Sequence, residues 1–284
     1  MKGIVFLGNR QCEVRELPIP KPAPDQVLIR VMATGICGSD LSVYRSAYQG
    51  KWANGHEASG IVESTGSQVR RLKVGDRVAA HHHYGCGTCS ACARGEVVAC
   101  KGHTVLGMGA PGSFAEFTAA PERCCVPLPE PISFIDGAFM ACVGGTAYAA
   151  IRRLDTTIHD TLAVFGLGPV GLSCVLAGKA FGLRVVGIDI LPHRLDLATA
   201  CGADLAVDGS QPDAVDQVVA FSALPGFPAE GVDHAIETSG SAAARRMLIP
   251  SMRRGGRIAI VGVGSNDEVI NPSHIHGKAV TIFG

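Results

Sequence analysis

The sequence predicts two domains, a β-rich irregular domain in residues 1–150 and an α/β domain with a doubly wound parallel sheet in residues 151–284. Short β segments broken by glycine and proline are typical of the first half. Apolar strand-like runs alternate with helical stretches in the second half. The alanine-rich, helical segment Gly144–Leu154 separates these two sequence patterns, so we place the domain boundary at about Ala150.

The strands of the first domain are predicted from runs of valine, isoleucine or alanine with turn residues at both ends. These runs are Gln26–Thr34, Ala58–Glu63 and Asp76–Ala80. Their irregular spacing favours a β domain without a simple repeat.

The second domain is predicted from βα units. The strand candidates are Leu162–Gly166, Val185–Asp189, Leu205–Val207, His234–Thr238 and Arg257–Gly262, and helices include Val170–Phe181 and Pro192–Cys201. Successive strands joined by helices imply a parallel sheet, because antiparallel neighbours need no such crossover.

The composition favours a globular protein that handles small molecules. Hydrophobic residues make up 47% of the chain and charged residues 18%, which is enough to bury a large core. Lys plus Arg and Asp plus Glu number 25 each, so no net charge attracts nucleic acid or an anionic membrane. The aromatic content of 5%, with Trp52 as the sole tryptophan, offers no stacking surface for single-stranded nucleic acid.

No targeting or membrane segment is predicted. Residues Met1–Gly8 lack the extended apolar core and cleavage site of a signal peptide, so we expect a cytoplasmic protein. Thr161–Gly178 is uncharged and approaches the ~18 residues that suggest a membrane span. Its glycines and Pro169 favour a strand, a tight turn and a buried helix instead.

Four cysteines lie within a short segment, about residues 85–101. Their spacing allows one loop to wrap around a tetrahedral zinc ion, and four thiolates would leave no open position for substrate. The sequence therefore predicts a structural zinc site; core thiols or two disulfides are the alternatives. The predicted ligands are Cys86, Cys89, Cys92 and Cys100.

A second set of metal-binding residue types is dispersed along the chain. It consists of Cys37, the pair His56-Glu57 and Cys142. Three protein ligands and an open position are the usual arrangement of a catalytic zinc. Spacing alone also permits a buried cysteine and a hydrogen-bonded structural histidine.

A glycine-rich turn lies between a predicted strand and a predicted helix. It comprises Gly166, Leu167, Gly168, Pro169, Val170 and Gly171, and Asp189 ends the following strand. A pyrophosphate bound at the helix N-terminus and an acid about 20 residues later are typical of Rossmann dinucleotide domains. The carboxylate would repel a 2′-phosphate, so NAD is favoured over NADP; a similar turn without cofactor is the alternative.

The order of these motifs resembles the zinc-containing alcohol dehydrogenases of the medium-chain dehydrogenase/reductase family, over essentially the whole chain. The resemblance implies a GroES-like catalytic domain before the Rossmann domain, and two zinc ions per chain. It implies that Cys37, His56 and Cys142 hold the catalytic zinc, with Glu57 as an occasional extra ligand. Ser39 would accept the alcohol proton.

Further roles follow from the same resemblance. Asp40 would orient His56, Arg194 would contact the adenosine ribose, and Thr146, Val261 and Val263 would lie beside the nicotinamide. Ser42 stands where liver-type enzymes place a histidine at the surface end of the proton relay, so the relay must end in water or another group.

Several histidines and cysteines have no assigned role. For His81, His82 and His83, either one faces the substrate or all lie in a solvated loop. We expect His274 and His276 at the surface. Buried, small apolar positions are expected for Cys12, Cys124, Cys125, Cys174 and Cys201.

The expected reaction is NAD-linked interconversion of a primary or secondary alcohol with an aldehyde or ketone. Polyol and threonine dehydrogenases of the same family are alternatives, as is a catalytically silent zinc- and nucleotide-binding protein. The last alternative rests on Gly277–Gly284, which resembles the strand that pairs subunits in relatives. The family's C-terminal return segment is accordingly expected to be absent, and a homodimer or homotetramer is expected.

Overall fold

The computed structural model describes residues 1–264 and 270–284. The chain divides into two compact units, Met1–Gly145 and Thr146–Gly284, and each unit is considered by itself.

The first unit is built mainly from β-strands. Its elements are β1 (Lys2–Gly8), β2 (Gln11–Glu16), β3 (Gln26–Gly35), α1 (Gly38–Arg45), β4 (Glu57–Thr65), β5 (Arg77–Ala80), β6 (His83–Tyr84), α2 (Ser90–Ala93), β7 (Thr104–Val105), β8 (Phe117–Pro121), β9 (Cys125–Pro127) and α3 (Phe134–Phe139). The principal sheet is antiparallel with strand order β8-β3-β4-β5-β9. Strands β1 and β2 form a hairpin, and β6 pairs with β7.

Alternate side chains of the principal sheet form the core of this unit. Val27 and Ile29 of β3 are fully buried and pack with Val62, Val78 and Leu106. Because strand side chains point alternately to opposite faces, one apolar face of the sheet covers the core. The predicted β-rich domain is confirmed.

A continuous helical segment runs from Phe134 to Leu154 through α3, a π-helical turn at Met140–Gly144 and α4 (Gly145–Leu154). Among the described residues it is the one helix long and apolar enough to cross a membrane, by length and composition alone. Half of its apolar window is buried inside the protein, and the core helix of a globular domain passes the same test.

The second unit alternates strands and helices. After α4 its elements are β10 (Thr161–Phe165), α5 (Pro169–Ala180), β11 (Arg184–Asp189), α6 (Pro192–Ala200), β12 (Leu205–Asp208), α7 (Ala214–Phe221), β13 (Val232–Glu237), α8 (Ala242–Ser251), β14 (Met252–Ile260), α9 (Pro272–Lys278) and β15 (Thr281–Phe283). The strands form a parallel sheet of order β12-β11-β10-β13-β14-β15.

Strand β10 shows why this sheet is covered on both faces. Leu162 and Val164 enter one core cluster, whereas Ala163 and Phe165 enter a second cluster on the other face. All four side chains are fully buried, as expected for a parallel strand between two helical layers. The predicted doubly wound sheet is confirmed, and Thr161–Gly178 forms the predicted strand, turn and helix.

The end of the chain differs from the prediction of a strand over Gly277–Gly284. Gly277 and Lys278 belong to α9, and β15 covers only Thr281–Phe283. The side chain of Asn271 accepts a hydrogen bond from Ser273 N and begins this helix. The helix ends at Ala279, whose backbone is left-handed (φ 50°). This local capping outweighs the strand pattern.

Candidate functional site: two thiol-rich clusters and a dinucleotide turn

The first cluster is the loop between β6 and β7. Its four thiol sulfurs lie within 4.8 Å of one another and belong to Cys86, Cys89, Cys92 and Cys100. Cys86 N donates to Cys100 Sγ (3.3 Å) and Gly87 N donates to Cys92 Sγ (3.4 Å). Hydrogen bonds from the main-chain N–H and the hydroxyl of Thr88 lower the pKa of the Cys86 thiol to about 5. A closed set of four converging thiols fits a tetrahedral zinc ion.

The second cluster joins three separate segments of the first unit. Its donor atoms also lie within 4.8 Å of one another and belong to Cys37, His56, Glu57 and Cys142. Cys37 precedes α1, His56 immediately precedes β4, Glu57 is the first residue of β4, and Cys142 lies in the π turn. Two thiolates on one tetrahedral zinc stand about 3.8 Å apart, given Zn–S bonds of about 2.3 Å. The observed separation of Cys37 Sγ and Cys142 Sγ is 4.0 Å.

The π turn gives Cys142 its position. It spans Met140–Gly144 and buries Cys142 to 7% exposure. Such single turns are rare in helices and frequent at functional sites, because the extra residue changes the direction of the side chains. The start of the helix is held by the Ser59 hydroxyl, which donates to the Phe134 carbonyl.

Asp40 fixes the histidine of this cluster. Asp40 Oδ1 lies 3.1 Å from His56 Nδ1, and Oδ2 accepts a hydrogen bond from Cys37 N (2.9 Å). Because Nδ1 is engaged, Nε2 remains for a metal. The carboxylate therefore fixes two of the candidate ligands.

The charges of the second cluster suit a cation. The neighbouring Cys142 thiol, followed by His56 and Ser39, lowers the pKa of Cys37 to about 3. Burial opposes protonation of His56, but Asp40 and the Cys37 thiolate outweigh it and raise its pKa to about 10. Burial and the Cys37 charge raise the pKa of Glu57 to about 7. Among the described residues, Glu57 Oε1 is buried without a hydrogen-bond partner, so a metal ion fits the donor set.

Ser39, the expected proton acceptor, lies on α1, as does Ser42, which stands where liver-type enzymes place the relay histidine. Ser39 and Ser42 are both exposed, and the Ser42 hydroxyl is 3.5 Å from the Gly38 carbonyl oxygen. Ser39 contacts Cys37, whose pKa it helps to lower. A proton leaving Ser39 can therefore reach water directly.

The three consecutive histidines do not form a solvated loop throughout. His82 is 8% exposed, and its ring centroid lies 4.9 Å from that of His56. His83 Nδ1 lies 2.8 Å from His103 Nε2. Burial and the neighbouring imidazoles lower the pKa of His82 to about 3, so its ring is neutral. Sequence reasoning missed His103; the only signal was its position just after the cysteine loop.

The dinucleotide turn has the backbone that its glycines require. Gly166 has φ +91°, a conformation that other residues rarely adopt. A Cβ on Gly171 would lie 1.8 Å from the Gly166 carbonyl oxygen, so a larger residue would separate strand from helix. Gly168 is the N-cap of α5, Pro169 and Val170 form its first turn, and the space beside Gly168 is open. An anion can approach this helix N-terminus.

Asp189 lies at the end of β11, beside a cavity of about 230 Å³. Its oxygens accept hydrogen bonds from Leu167 N (2.7 Å), Ile190 N (2.8 Å) and Leu191 N (3.0 Å). Arg194 Nη1 lies 3.3 Å from Asp189 Oδ2. Burial opposes ionisation, but these donors lower the pKa of Asp189. The cavity lining includes Gly166, Asp189, Arg194, Ser239, Ser241 and Met247.

The residues expected beside the nicotinamide lie on two elements of the second unit. Thr146 is half-buried in the first turn of α4. Val261 and Val263 follow β14; Val261 N donates to the Glu237 carbonyl (2.8 Å), and Val263 is 98% exposed. Their contact with a nicotinamide stays a prediction.

The cysteines without ligand spacing have mixed environments. Cys124, Cys125 and Cys174 are buried, as predicted. The prediction was wrong for Cys12, which is exposed because every side chain of β2 faces solvent. Cys201 is only half-buried and packs against the edge of a core cluster. His274 and His276 are exposed, as predicted.

Comparison with known proteins matches both parts of the chain. Residues 23–130 match the alcohol dehydrogenase GroES-like domain, and residues 169–284 match the zinc-binding dehydrogenase domain. L-threonine 3-dehydrogenase of Rhizobium etli is 38% identical over 95% of this chain and 79% of the relative. Sorbitol dehydrogenase of Bacillus subtilis is 34% identical over 100% of this chain and 81% of the relative.

Solved structures agree in fold. Alcohol dehydrogenase TADH from Thermus sp. ATN1 superimposes with a TM-score of 0.90 at 30% identity, covering 100% of this chain and 84% of that chain. A zinc-binding dehydrogenase from Sinorhizobium meliloti 1021 bound to NADP has a TM-score of 0.88 at 27% identity, covering 99% and 82%. The rspB alcohol dehydrogenase from E. coli CFT073, complexed with NADH, has a TM-score of 0.89 at 28% identity, covering 100% and 82%.

Proposed function

Because the chain belongs to the zinc-containing alcohol dehydrogenases of the medium-chain dehydrogenase/reductase family, we propose that it transfers a hydride between a small primary or secondary alcohol and NAD. The observation that carries this proposal is the convergence of four metal-binding side chains from three separate segments, with Asp40 behind the histidine. A protein that only bound nucleotide would not need this arrangement.

Cys37, His56 and Cys142 would hold the catalytic zinc, with Glu57 as an extra ligand during exchange. Zinc, when bound, lowers the pKa of a coordinated hydroxyl and so favours hydride loss from the neighbouring carbon. Asp40 keeps the His56 ring oriented, and burial of both side chains keeps water from competing for their hydrogen bond. Ser39 accepts the proton of the alcohol and passes it to solvent.

The cysteine loop would hold a second, structural zinc. Its four thiols close the coordination shell, so the ion would brace the loop between β6 and β7 and bind no substrate. The proposal is therefore two zinc ions per chain.

The coenzyme would bind along the carboxyl ends of the parallel strands. Its pyrophosphate would lie against the N-terminus of α5 at Gly168, and Asp189 would accept hydrogen bonds from the adenosine ribose, as is usual for this fold. The ionised Asp189 disfavours the 2′-phosphate of NADP, so we propose NAD as the coenzyme, with Arg194 beside the ribose.

Polyol or threonine oxidation is a second candidate, because relatives at 34% and 38% identity are a sorbitol and a threonine dehydrogenase. All three substrate types are alcohols that the same zinc chemistry would oxidise.

We further propose a cytoplasmic enzyme that assembles as a homodimer or homotetramer through β15, which lies at the edge of the sheet. Sedimentation of the purified chain tests the assembly.

The test is NADH formation by the zinc-loaded chain with ethanol, a secondary alcohol, sorbitol and threonine. Cys37→Ser should abolish turnover, whereas Cys125→Ser, a matched change at a buried thiol outside both clusters, should retain it. Equal turnover in Cys37→Ser and the unchanged chain would contradict the catalytic zinc. A folded, zinc-loaded chain inactive with every substrate would favour the silent alternative.

A further inference from the structure

Glu237 is a fully buried carboxylate at the carboxyl end of β13. Its Oε1 accepts hydrogen bonds from Ser239 N (2.7 Å), the Ser239 hydroxyl (2.6 Å) and Gly240 N (2.8 Å). These three bonds define the turn between β13 and α8. We call residues 238–241 the β13 turn.

The same residue also holds the segment that follows β14. The Glu237 carbonyl accepts hydrogen bonds from Val261 N and Gly262 N, both at 2.8 Å. Glu237 Oε2 lies 3.5 Å from Arg245 Nε, and Arg245 Nη2 donates to the Gly262 carbonyl (2.9 Å). Glu237 and Arg245 therefore connect the β13 turn to residues 261–264, which we call the β14 segment.

The β13 turn and the β14 segment approach each other closely. A Cβ on Gly262 would lie 2.2 Å from Gly240 N and 2.8 Å from Glu237 Oε2. Glycine is thus required at residue 262, and the relative position of the two segments has little freedom.

Burying this charged pair is not explained by stability alone. An ion pair taken out of water loses hydration that its mutual attraction only partly offsets, so apolar residues of similar volume often stabilise a core as well. A pair whose side chains bind three main-chain groups in the two segments is better suited to fixing their geometry.

The two segments correspond to two parts of the proposed coenzyme site. Ser239 and Ser241 line the cavity beside Asp189, whereas Val261 and Val263 are the residues proposed to contact the nicotinamide. We propose that Glu237 and Arg245 are positioning residues. They hold the β14 segment, with its proposed nicotinamide contacts, in a fixed position relative to the cavity beside Asp189. This inference rests on the proposed NAD-dependent function.

The test compares NAD⁺ with AMP, which occupies only the adenosine side, by titration calorimetry on the full chain. Glutamine at residue 237 can still accept from the β13 turn but loses the charge that holds Arg245. Glu237→Gln should therefore weaken NAD⁺ binding about tenfold or more and AMP binding less than about twofold. Arg245→Lys should act in the same direction, because lysine keeps the positive charge but lacks the guanidinium Nη2 that donates to the Gly262 carbonyl.

Two further variants separate positioning from general damage. Ser239→Ala alters the cavity wall itself, so it should weaken AMP and NAD⁺ by the same factor. Asp233→Asn is the matched control: Asp233 lies at the opposite end of β13 and accepts from Thr161 N (2.8 Å), the Thr161 hydroxyl (2.7 Å) and Arg253 Nε (2.6 Å). It should lower stability and leave the ratio of the two affinities unchanged.

An NAD⁺-to-AMP affinity ratio that falls in Arg245→Lys, and in Glu237→Gln where that variant folds, but not in Asp233→Asn, supports the inference. An unchanged ratio in Arg245→Lys overturns it, even if Glu237→Gln does not fold. Absence of NAD⁺ binding by the unchanged chain would overturn the proposed function as well, whereas NAD⁺ binding with unaltered ratios overturns the inference alone.

Discussion

Asp40 and His56 are joined by a contact of 3.1 Å between Oδ1 and Nδ1, with both side chains buried. The other oxygen of Asp40 accepts from Cys37 N, so one carboxylate orients two candidate zinc ligands that lie 19 residues apart in sequence. A change at Asp40 therefore tests the metal site without removing a ligand.

Asp40→Asn should weaken zinc binding at the second cluster about 10–100-fold, as is typical when the residue behind a metal-bound histidine is lost. Competition with a chromogenic chelator measures this affinity. Asp76→Asn, at a carboxylate that accepts from Lys73 N in a surface turn, is the control. An unaltered affinity in Asp40→Asn would show that the packing of β4 alone orients His56.

The cysteine loop should bind its zinc independently of the second cluster. Cys92→Ser should reduce the zinc content from two ions per chain to one and lower the unfolding midpoint by about 5 °C or more, because the loop loses its crosslink. Elemental analysis and thermal unfolding measure the two effects. Cys12→Ser, at an exposed thiol, should retain both ions; retention of two ions in Cys92→Ser would contradict the four-thiol site.

Asp189 should select the coenzyme. Asp189→Ser removes the charge that repels a 2′-phosphate, so kcat/KM for NAD should fall about tenfold or more and the ratio for NADP over NAD should rise. Initial rates with both coenzymes measure this ratio. Asp208→Asn, at the end of the neighbouring strand β12, is the control. If the ratio for NADP over NAD rises equally in both variants, Asp189 is not the residue that selects the coenzyme.

Asp233 should make stability depend on pH. Burial alone would raise its pKa, but Arg253 and Thr161 outweigh burial and hold the pKa below its usual range. The folded pKa is thus lower than the unfolded value of about 3.9. The resulting stability is present above that pH and is lost as the pH falls through the lowered folded pKa.

Asp233→Asn should therefore cost about 2 kcal/mol at neutral pH, and the difference from the unchanged chain should shrink in acid. Urea unfolding near pH 7 and near pH 3 measures both values. A difference that is equal at the two pH values would show that lost packing, and not ionisation, causes the destabilisation.

Features encoded in short segments were predictable from the sequence. The four-cysteine loop and the glycine turn are local, and the helical crossovers imply a parallel sheet. The second cluster is different, since Cys37 and Cys142 are 105 residues apart. Their sequence spacing does not predict that they share one metal site. Their grouping followed from the resemblance to a family.

Other features depend on packing that no local pattern reveals. The π turn leaves no mark in the composition of Met140–Gly144, and neither the burial of His82 nor its ring contact with His56 is visible in the sequence. Glu237 lies within the predicted strand His234–Thr238, and the strand pattern gives no sign that its carboxylate is buried and pairs with Arg245. Strand β14 begins at Met252, five residues before the predicted Arg257, because the arginine- and glycine-rich stretch pairs with β13 through a register shift.

The π turn at Met140–Gly144 also sets a helical phase. An α-helix advances about 100° per residue, so the one additional residue in this turn changes the direction of the side chains within it relative to a regular helix. Loss of one residue of the turn, such as Met140, would let the turn relax into a regular helix and move Cys142 away from Cys37. A deletion there would thus be equivalent to losing a metal ligand, although every ligand would still be present in the chain.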